Sequence, residues 1–303
     1  MNVKIMKGGN LRRNKRWEQA FADGLDVHGQ AYDWVPSTRQ INNCDMFVVW
    51  SLRPVVSPNR KPTINRARLF GNRRASRITA DVLVLEQSYF GGQRGRQSNM
   101  ASIGFNGLNG RAEFHNSNSP CDRWIKHGLP FEPWVTEGDY ILLVGQVPED
   151  TSHRFININQ WYTEAVAWIR KQQPDCKILF RPHPAEDRWK GQRRSDLSRA
   201  TQIPNGVEVS SGNLQEDLKH ASHVVTFNSN VGVDAVIAGR PVMAFDCGSM
   251  VYELASDLGC PNTCDETRQR WANNLAYCQW TIDEVRCGEA WSHLKKRYAA
   301  GRR

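Results

Sequence analysis

The sequence predicts an α/β fold built from two Rossmann-like, doubly wound domains. A chain of 303 residues is long enough for about two domains, each with its own core. In the second half, short apolar segments alternate with segments of helical periodicity, a pattern typical of parallel sheets covered by helices. Two of the apolar segments end abruptly in the polar segments Arg181–Pro184 and Asn228–Asn230. Because ligands bind at the carboxyl ends of strands in such sheets, both polar segments are candidate binding loops.

In the first half, apolar and helical segments alternate less regularly. The predicted elements are a strand at Val3–Met6, a helix at Asn14–Gly24, a strand at Asp45–Ser51, a helix beginning at Asn65–Leu69 and a strand at Asp81–Glu86. A stretch rich in Gly and Asn follows at 91–110 and has little periodicity. Since long loops inside compact domains are usually functional, we predict a functional loop there.

The second half shows clearer periodicity. A strand at Tyr140–Val144 precedes a helix whose large side chains, between Ile158 and Ile169, fall on one face and are predicted to form core. The elements that follow are strands at Lys177–Phe180 and Val207–Ser210, a helix at Asn213–Ala221, a strand at His223–Phe227, a helix at Val231–Ala238 and a strand at Pro241–Asp246. After Cys264 the composition predicts two helices, Glu266–Tyr277 and Thr281–Tyr298.

A break containing two prolines, Leu129–Pro133, separates the two halves and is typical of a linker. We therefore predict a first domain at 1–132 and a second domain at 133–262. The remaining residues, 263–303, are predicted to form helices that pack back toward the first domain.

Composition indicates a folded protein of the cytoplasm. Apolar residues make up 40% of the chain, which includes 11 Trp and 11 Phe. No apolar stretch approaches the roughly 20 residues of a membrane span, and the basic N-terminal segment lacks the apolar core of a signal peptide. Eight cysteines at irregular spacings are typical of reduced thiols.

Positive charge is concentrated in one segment. Residues 46–112 contain eleven basic and two acidic side chains, so their net charge of +9 equals that of the whole chain. Residues 139–261, by contrast, contain twelve basic and fifteen acidic side chains. Most of the clustered bases are arginines, which suit bidentate contacts with phosphate or carboxylate. The first half is therefore predicted to bind a polyanion, either DNA or an anionic polysaccharide.

Three segments resemble motifs of capsule-polysaccharide glycosyltransferases of the Kdo-transferase type. Residues 85–104 resemble the family's Glu-x-Gly-aromatic and Arg-Ser-x-Gly motifs, and Arg181–Pro184 matches its His-Pro motif. Residues 228–242 resemble its Ser-x-x-x-Glu-Ala and Gly-x-Pro-Val motifs. The sequence departs from the pattern at Ser88, where the family tends to have Gly, and at Asp234, where Glu is usual. The resemblance implies a GT-B-like architecture, in which two Rossmann-like domains face a central cleft.

The resemblance also implies roles for individual side chains. Sugar transfer needs a base for the acceptor hydroxyl and positive or N–H groups for the departing phosphate. Glu86, at the end of a strand, is the candidate base, and its alternative role is a carboxylate paired with local arginines. Arg181 and His183 are candidates for neutralising the leaving phosphate, although a lone histidine is more often structural.

Six residues are predicted to bind the donor. Ser229 and the N–H groups after it could contact phosphate, and Asp234 could accept from ribose hydroxyls. Alternatively, Ser229 caps the helix and Asp234 complements the helix dipole. The complete predicted sets are Asn228, Ser229, Asn230 and Asp234, with Arg181 and His183, for the donor, and Arg94, Arg96, Ser102 and Phe105 for the acceptor. Phe90 or Phe105 could stack on an extruded base if the acceptor is DNA.

The predicted function is transfer of a sugar from a nucleotide-sugar to a hydroxyl of the polyanion. Because the short basic chain resembles phage-encoded members of this group, hydroxylated-base DNA in a host cytoplasm is the first acceptor considered and a surface polysaccharide the second. A teichoic-type glycerophosphotransferase and a nucleic-acid-binding protein without activity remain alternatives. No Asp-x-Asp pair follows a strand, and no P-loop, dinucleotide fingerprint or nucleophile elbow is present. We therefore predict no bound metal and no cofactor beyond the nucleotide-sugar co-substrate.

Overall fold

The computed structural model describes residues 1–7, 12–36, 39, 41–51, 79–90, 99–114, 116–148, 150–153, 156–184 and 201–300, with only the backbone for 12–14 and 297–300. Arg94, Arg96, the predicted helix at Asn65–Leu69 and all but one of the clustered bases lie outside the described residues. The chain divides into two units. The first unit comprises residues 1–126 and 272–303, and the second comprises residues 127–271.

Eleven strands and eight α-helices lie in the part of the chain that the structure describes. The strands are β1 Val3–Met6, β2 Tyr32–Val35, β3 Met46–Trp50, β4 Asp81–Gln87, β5 Met100–Phe105, β6 Tyr140–Val144, β7 Ile178–Arg181, β8 Glu208–Val209, β9 Ala221–Thr226, β10 Val242–Ala244 and β11 Gln279–Thr281. The helices are α1 Arg12–Val27, α2 Asp122–His127, α3 Ile158–Gln172, α4 Leu214–His220, α5 Val231–Ile237, α6 Asp265–Ala276, α7 Ile282–Arg286 and α8 Glu289–Ala300. None of the described helices is both long and apolar enough to cross a bilayer.

Both units contain a sheet made mainly of parallel strands. The second sheet has the order β10-β9-β6-β7-β8, and every pair in it is parallel. The first sheet has the order β11-β5-β4-β3-β1-β2, with parallel pairing from β2 to β4 and antiparallel pairing at β5 and β11. The predicted α/β class with two Rossmann-like sheets is therefore confirmed.

Strand β5 lies inside the stretch that the sequence predicts to be a loop. Residues Ala101 to Phe105 are all buried, so both faces of the strand are covered. Its sequence therefore lacks the alternation of polar and apolar residues that marks a half-exposed strand. At Gly104 the ring of Phe114 covers the strand so closely that a Cβ atom would lie 2.6 Å from it. The loop prediction was wrong at this strand. Small residues such as Gly104 allow close packing, but they also have a low preference for strands, so the sequence did not indicate one.

The last thirty residues contribute to the core of the first unit. Helix α1 places Phe21 edge-on against Trp291 of α8, with ring centroids 6.1 Å apart. A Cβ atom on Gly24 would lie 2.2 Å from the carbonyl oxygen of Val285, so α1 and α7 approach at backbone distance. The C-terminal segment also differs from prediction, because β11 precedes α7 and a left-handed Gly288, at φ 84°, separates α7 from α8.

A buried ion pair joins α2 to α7 in the first unit. Arg123 donates two hydrogen bonds of 3.1 Å to the carboxylate of Glu284, whose side chain is only 8% exposed. Lys126 donates to the same carboxylate at 2.7 Å. The guanidinium of Arg123 also lies 4.1 Å from the ring centroid of Trp280 and donates to the carbonyl of Gln279. Two segments far apart in sequence are thus held by one charged contact.

In the second unit, α3 packs against the parallel sheet. Tyr162 is fully buried and meets the ring of Phe180 at a centroid distance of 5.0 Å. Trp161 meets Phe227 at 5.4 Å, so the helix covers β7 and the end of β9. The prediction that these aromatic residues form core is confirmed.

Candidate active site

Polar side chains collect at the carboxyl edge of the second sheet. Because β6, β7, β9 and β10 are parallel, the segments that follow them emerge at the same edge. Those segments are residues 145–153, 182–184, 227–230 and 245–249. Residues 182–184 and 227–230 contain the predicted donor-binding motifs, so the fold brings these two motifs to one edge.

Asn228 is the centre of a buried hydrogen-bond network at this edge. The residue is 1% exposed, and its Nδ2 donates to Oδ2 of Asp246 at 2.8 Å and to the carbonyl of Ser152 at 3.1 Å. Its Oδ1 accepts from Nε2 of Gln146 at 2.7 Å, and its backbone N–H donates to Oε1 of Gln146 at 3.0 Å. Both amide hydrogens of the side chain are therefore bound within the protein.

The two residues that bind Asn228 through their side chains, Gln146 and Asp246, make further hydrogen bonds of their own. The backbone N–H of Gln146 donates to Oη of Tyr162 at 2.6 Å, and that hydroxyl donates to the carbonyl of Gln146 at 3.0 Å. The Oδ2 atom of Asp246 also accepts from the N–H of Gly248 at 3.2 Å. Sequence reasoning missed Gln146 and Asp246, although each follows a buried strand as Asn228 does.

His183 lies at the same edge, after β7, and is partly buried. Burial lowers the pKa of its imidazole, Asp150 in the loop after β6 opposes this change, and the charge of Arg181 adds to it. The net lowering of the pKa favours the neutral ring, which has one donor and one acceptor nitrogen. A neutral His183 can donate one hydrogen bond to a phosphate oxygen.

A second histidine, His153, is part of the segment after β6. It is 2% exposed, and its ring stands edge-on to Phe227 with centroids 6.4 Å apart. Burial lowers the pKa of this imidazole, while the nearby carboxylates of Asp150 and Asp246 raise it. Sequence reasoning missed His153 because it follows a turn and no recognisable motif.

Arg181 has a buried partner within the second unit. Its guanidinium forms an ion pair with Asp217 of α4 and donates to the carbonyl of Gly212 at 2.9 Å. Asp217 also accepts from the hydroxyl of Ser210 at 2.6 Å. With 13% of the Arg181 side chain exposed and 7% of Asp217, this contact joins β7 to α4. The geometry favours a structural role for Arg181, and phosphate neutralisation by this residue stays a prediction.

The turn between β9 and α5 supports the capping role of Ser229. Its Oγ accepts from the N–H of Val231 at 3.3 Å, and its own N–H donates to Oγ1 of Thr226 at 2.9 Å. Two of the N–H groups predicted to bind phosphate thus already have acceptors. The Oδ1 atom of Asn230 is buried without a hydrogen-bond partner among the described residues, and Asp234 lies in the first turn of α5.

In the first unit, Glu86 and Ser102 are directly paired across β4 and β5. Oε1 of Glu86 accepts from the N–H of Gln87 at 2.9 Å. The buried phenol of Tyr89 is close to both side chains. Its pKa is raised, mainly by burial and also by the charges of Cys278 and Glu86, while a hydrogen bond with Ser102 lowers it. Glu86 and Ser102 therefore lie together. Ser102 is only 2% exposed, so it offers little surface to an acceptor, and acceptor binding by this residue stays a prediction.

The structure does not support base stacking by Phe105 or Phe90. Phe105 is 0% exposed in the core, and Phe90 is 7% exposed and packs against Trp124 at a centroid distance of 5.6 Å. Neither ring has a free face for a nucleobase.

The departure from the family pattern at Ser88 has a structural explanation. Its hydroxyl donates to Oε1 of Gln279 at 2.5 Å, and the N–H of Tyr89 donates to the same oxygen at 2.7 Å. The Ser88 oxygen also accepts from the N–H of Phe90 at 3.2 Å. The serine adds a side-chain hydrogen bond to β11, which a glycine could not provide.

Comparison with known proteins gives a consistent picture. Residues 133–259 match the family model described as capsule polysaccharide biosynthesis protein. The lipopolysaccharide-processing protein LpsZ of Rhizobium meliloti is 29% identical over 113 residues, which form 35% of this chain and 24% of that protein. The chain therefore spans about a quarter of the length of this relative.

Among solved structures, the beta Kdo 2,4 transferase KpsC of Thermosulfurimonas dismutans has a similar fold. The TM-score is 0.53 at 15% identity, and the similarity covers 90% of this chain and 89% of that one. The prediction of two Rossmann-like α/β domains with a GT-B-like fold is confirmed. The chain thus has the fold of GT-B glycosyltransferases, and over residues 133–259 it is similar in sequence to the capsule polysaccharide biosynthesis family.

Proposed function

We propose that this protein is a glycosyltransferase that moves a sugar from a nucleotide-sugar to a hydroxyl of a capsule or lipopolysaccharide chain. The observation that carries the proposal is the carboxyl edge of the second sheet. His183 and the turn that begins at Asn228 both follow strands that end at this edge, within the segment that matches the capsule polysaccharide biosynthesis family. Such an edge is where α/β sheets bind nucleotides.

In this proposal the second unit binds the donor. A neutral His183 donates a hydrogen bond to a phosphate oxygen and so stabilises the negative charge that develops on the leaving phosphate. Asn230 offers a buried side-chain oxygen that has no hydrogen-bond partner in the described structure. This oxygen can accept a hydrogen bond from a hydroxyl or amino group of the nucleotide-sugar. Asp234, in the first turn of α5, is proposed to accept from ribose hydroxyls.

The first unit supplies the base. Glu86 lies at the end of β4 beside Ser102, and its carboxylate is only partly buried. A carboxylate in this setting can remove the proton from an acceptor hydroxyl.

The acceptor is proposed to be a polysaccharide because both sequence comparisons point to proteins of surface-polysaccharide production. No comparison supports a DNA acceptor, and the basic segment that suggested one falls mostly outside the described residues. The negative charges of an anionic polysaccharide would pair with the same arginines.

Thermal-shift measurements with CMP, UDP, GDP and TDP sugars would identify the donor, because a ligand at 100 times its Kd stabilises the protein by about 2.7 kcal/mol. Labelled donor would then be supplied with capsule-type oligosaccharide, lipopolysaccharide and hydroxymethylated DNA in parallel reactions. We expect label on a saccharide acceptor alone. Label on DNA alone would overturn the acceptor proposal, and stabilisation by no nucleotide-sugar would overturn the donor proposal.

A further inference from the structure

The network around Asn228 has a fixed direction of donation. Gln146 donates to Asn228 at 2.7 Å, and Asn228 donates to Asp246 at 2.8 Å. The three residues follow β6, β9 and β10, which are adjacent in the sheet. They are 6%, 1% and 9% exposed, respectively, so water does not compete strongly for these bonds.

We propose that Asn228 is a positioning residue, fixed by Gln146 and Asp246, and that it does not itself contact the nucleotide-sugar. The inference rests on the proposed function, because it concerns how the donor-binding edge is held in shape. At 1% exposure the side chain offers almost no surface to a ligand. Both hydrogens of its Nδ2 are used by Asp246 and Ser152, so a ligand could take one only by breaking an internal bond.

The network acts on the residues that directly follow Asn228. Gln146 accepts from the backbone N–H of Asn228 as well as donating to its side chain, so the main chain is fixed at that point. Only Ser229 and Asn230 separate Asn228 from the start of α5. A displacement of Asn228 therefore moves the turn and the first turn of α5 together, and a misplacement of about 1 Å can cost about 100-fold in activity.

Isosteric substitutions can replace a hydrogen-bond donor by an acceptor without changing the volume of the side chain, so that a favourable contact becomes repulsive. Gln146→Glu sets a carboxylate oxygen against Oδ1 of Asn228, and Asn228→Asp sets one against Oδ2 of Asp246. The double substitution Asn228→Asp with Asp246→Asn restores a donor and an acceptor between these two positions and keeps one carboxylate. It does not restore the contacts to Ser152 and Gly248, so recovery should be partial. Asn205→Asp, an exposed position in the same unit, is the matched control.

The experiment measures the Kd of the nucleotide-sugar that stabilises the wild-type protein, together with the melting temperature of each variant. We expect Gln146→Glu and Asn228→Asp each to weaken binding at least about tenfold, the double variant to recover part of the loss, and Asn205→Asp to bind as wild type. If Asn228→Asp fails to fold, the double variant and Gln146→Glu still test the inference.

Two results would overturn the inference. Folded single variants that bind as wild type would show that the network does not position the donor site. A folded double variant with no recovery would show that the hydrogen bond between positions 228 and 246 does not position the donor site. Failure of the proposed function is distinct from both, because the wild-type protein would then bind no nucleotide-sugar at all.

Discussion

Removing the charge of Glu284 should destabilise the first unit by about 2–3 kcal/mol at neutral pH. Burial alone would raise the pKa of Glu284, but hydrogen bonds from Arg123, Lys126 and the N–H of Thr281 lower it from 4.5 to about 2. A depression of this size corresponds to about 3 kcal/mol, at about 1.4 kcal/mol per pKa unit. We take this as an upper value because Lys126 is 63% exposed and solvent screens its contribution.

The pH dependence of the stability that Glu284 contributes gives the sharper test. A carboxylate with a lowered pKa in the folded state contributes its full stabilisation above its unfolded pKa of 4.5 and loses it as the pH falls toward about 2. Urea unfolding of the wild type and of Glu284→Gln should therefore differ by about 2–3 kcal/mol at pH 7 and by clearly less at pH 3. The control is Asp283→Asn, since Asp283 is 78% exposed and pairs only with the exposed Arg286 in the described contacts. Its effect should stay below about 0.5 kcal/mol. A Glu284→Gln difference that is equal at both pH values would refute the reasoning.

Three other substitutions test the candidate site. Glu86→Gln should lower transfer at least about 100-fold while nucleotide affinity, measured by titration, stays within about twofold of wild type, because a base is removed and the donor site is untouched. Equal losses of rate and affinity would contradict a role as base. His183→Ala should weaken nucleotide binding without lowering the melting temperature, and unchanged binding would place the phosphate elsewhere. Arg181→Ala should lower the unfolding free energy by about 3–5 kcal/mol, because it leaves the carboxylate of Asp217 buried and unpaired, and a variant of wild-type stability would show that the pair is dispensable.

The second sheet could be predicted from sequence almost to the residue. Its central strands are continuous apolar runs because helices cover both faces, and β6 was predicted with the observed bounds, Tyr140–Val144. Strands β5 and β11 could not be predicted in this way. They contain small or polar residues, and they pair with each other only because distant parts of the chain meet.

The candidate site, too, could be predicted from the sequence only in part. The abrupt change from apolar to polar residues after β9 located Asn228, because that change is a local property of the sequence. The same change after β6 and β10 marks Gln146 and Asp246, yet only the structure shows that the three amide and carboxylate groups bind one another. The partner of Arg181 could not be predicted either, since Asp217 is 36 residues away and no local pattern connects them.

The first unit is built from two separate stretches of the chain, and this affects how the chain folds during synthesis. The second unit is continuous, from residue 127 to residue 271, so a ribosome releases all of its strands before the chain is finished. The first unit needs residues 272–303, including Trp291 opposite Phe21, before its core is complete. The N-terminal strands must therefore wait with apolar surface exposed until residues 272–303 have been synthesised, and they are the part of the nascent chain that most needs protection by a chaperone.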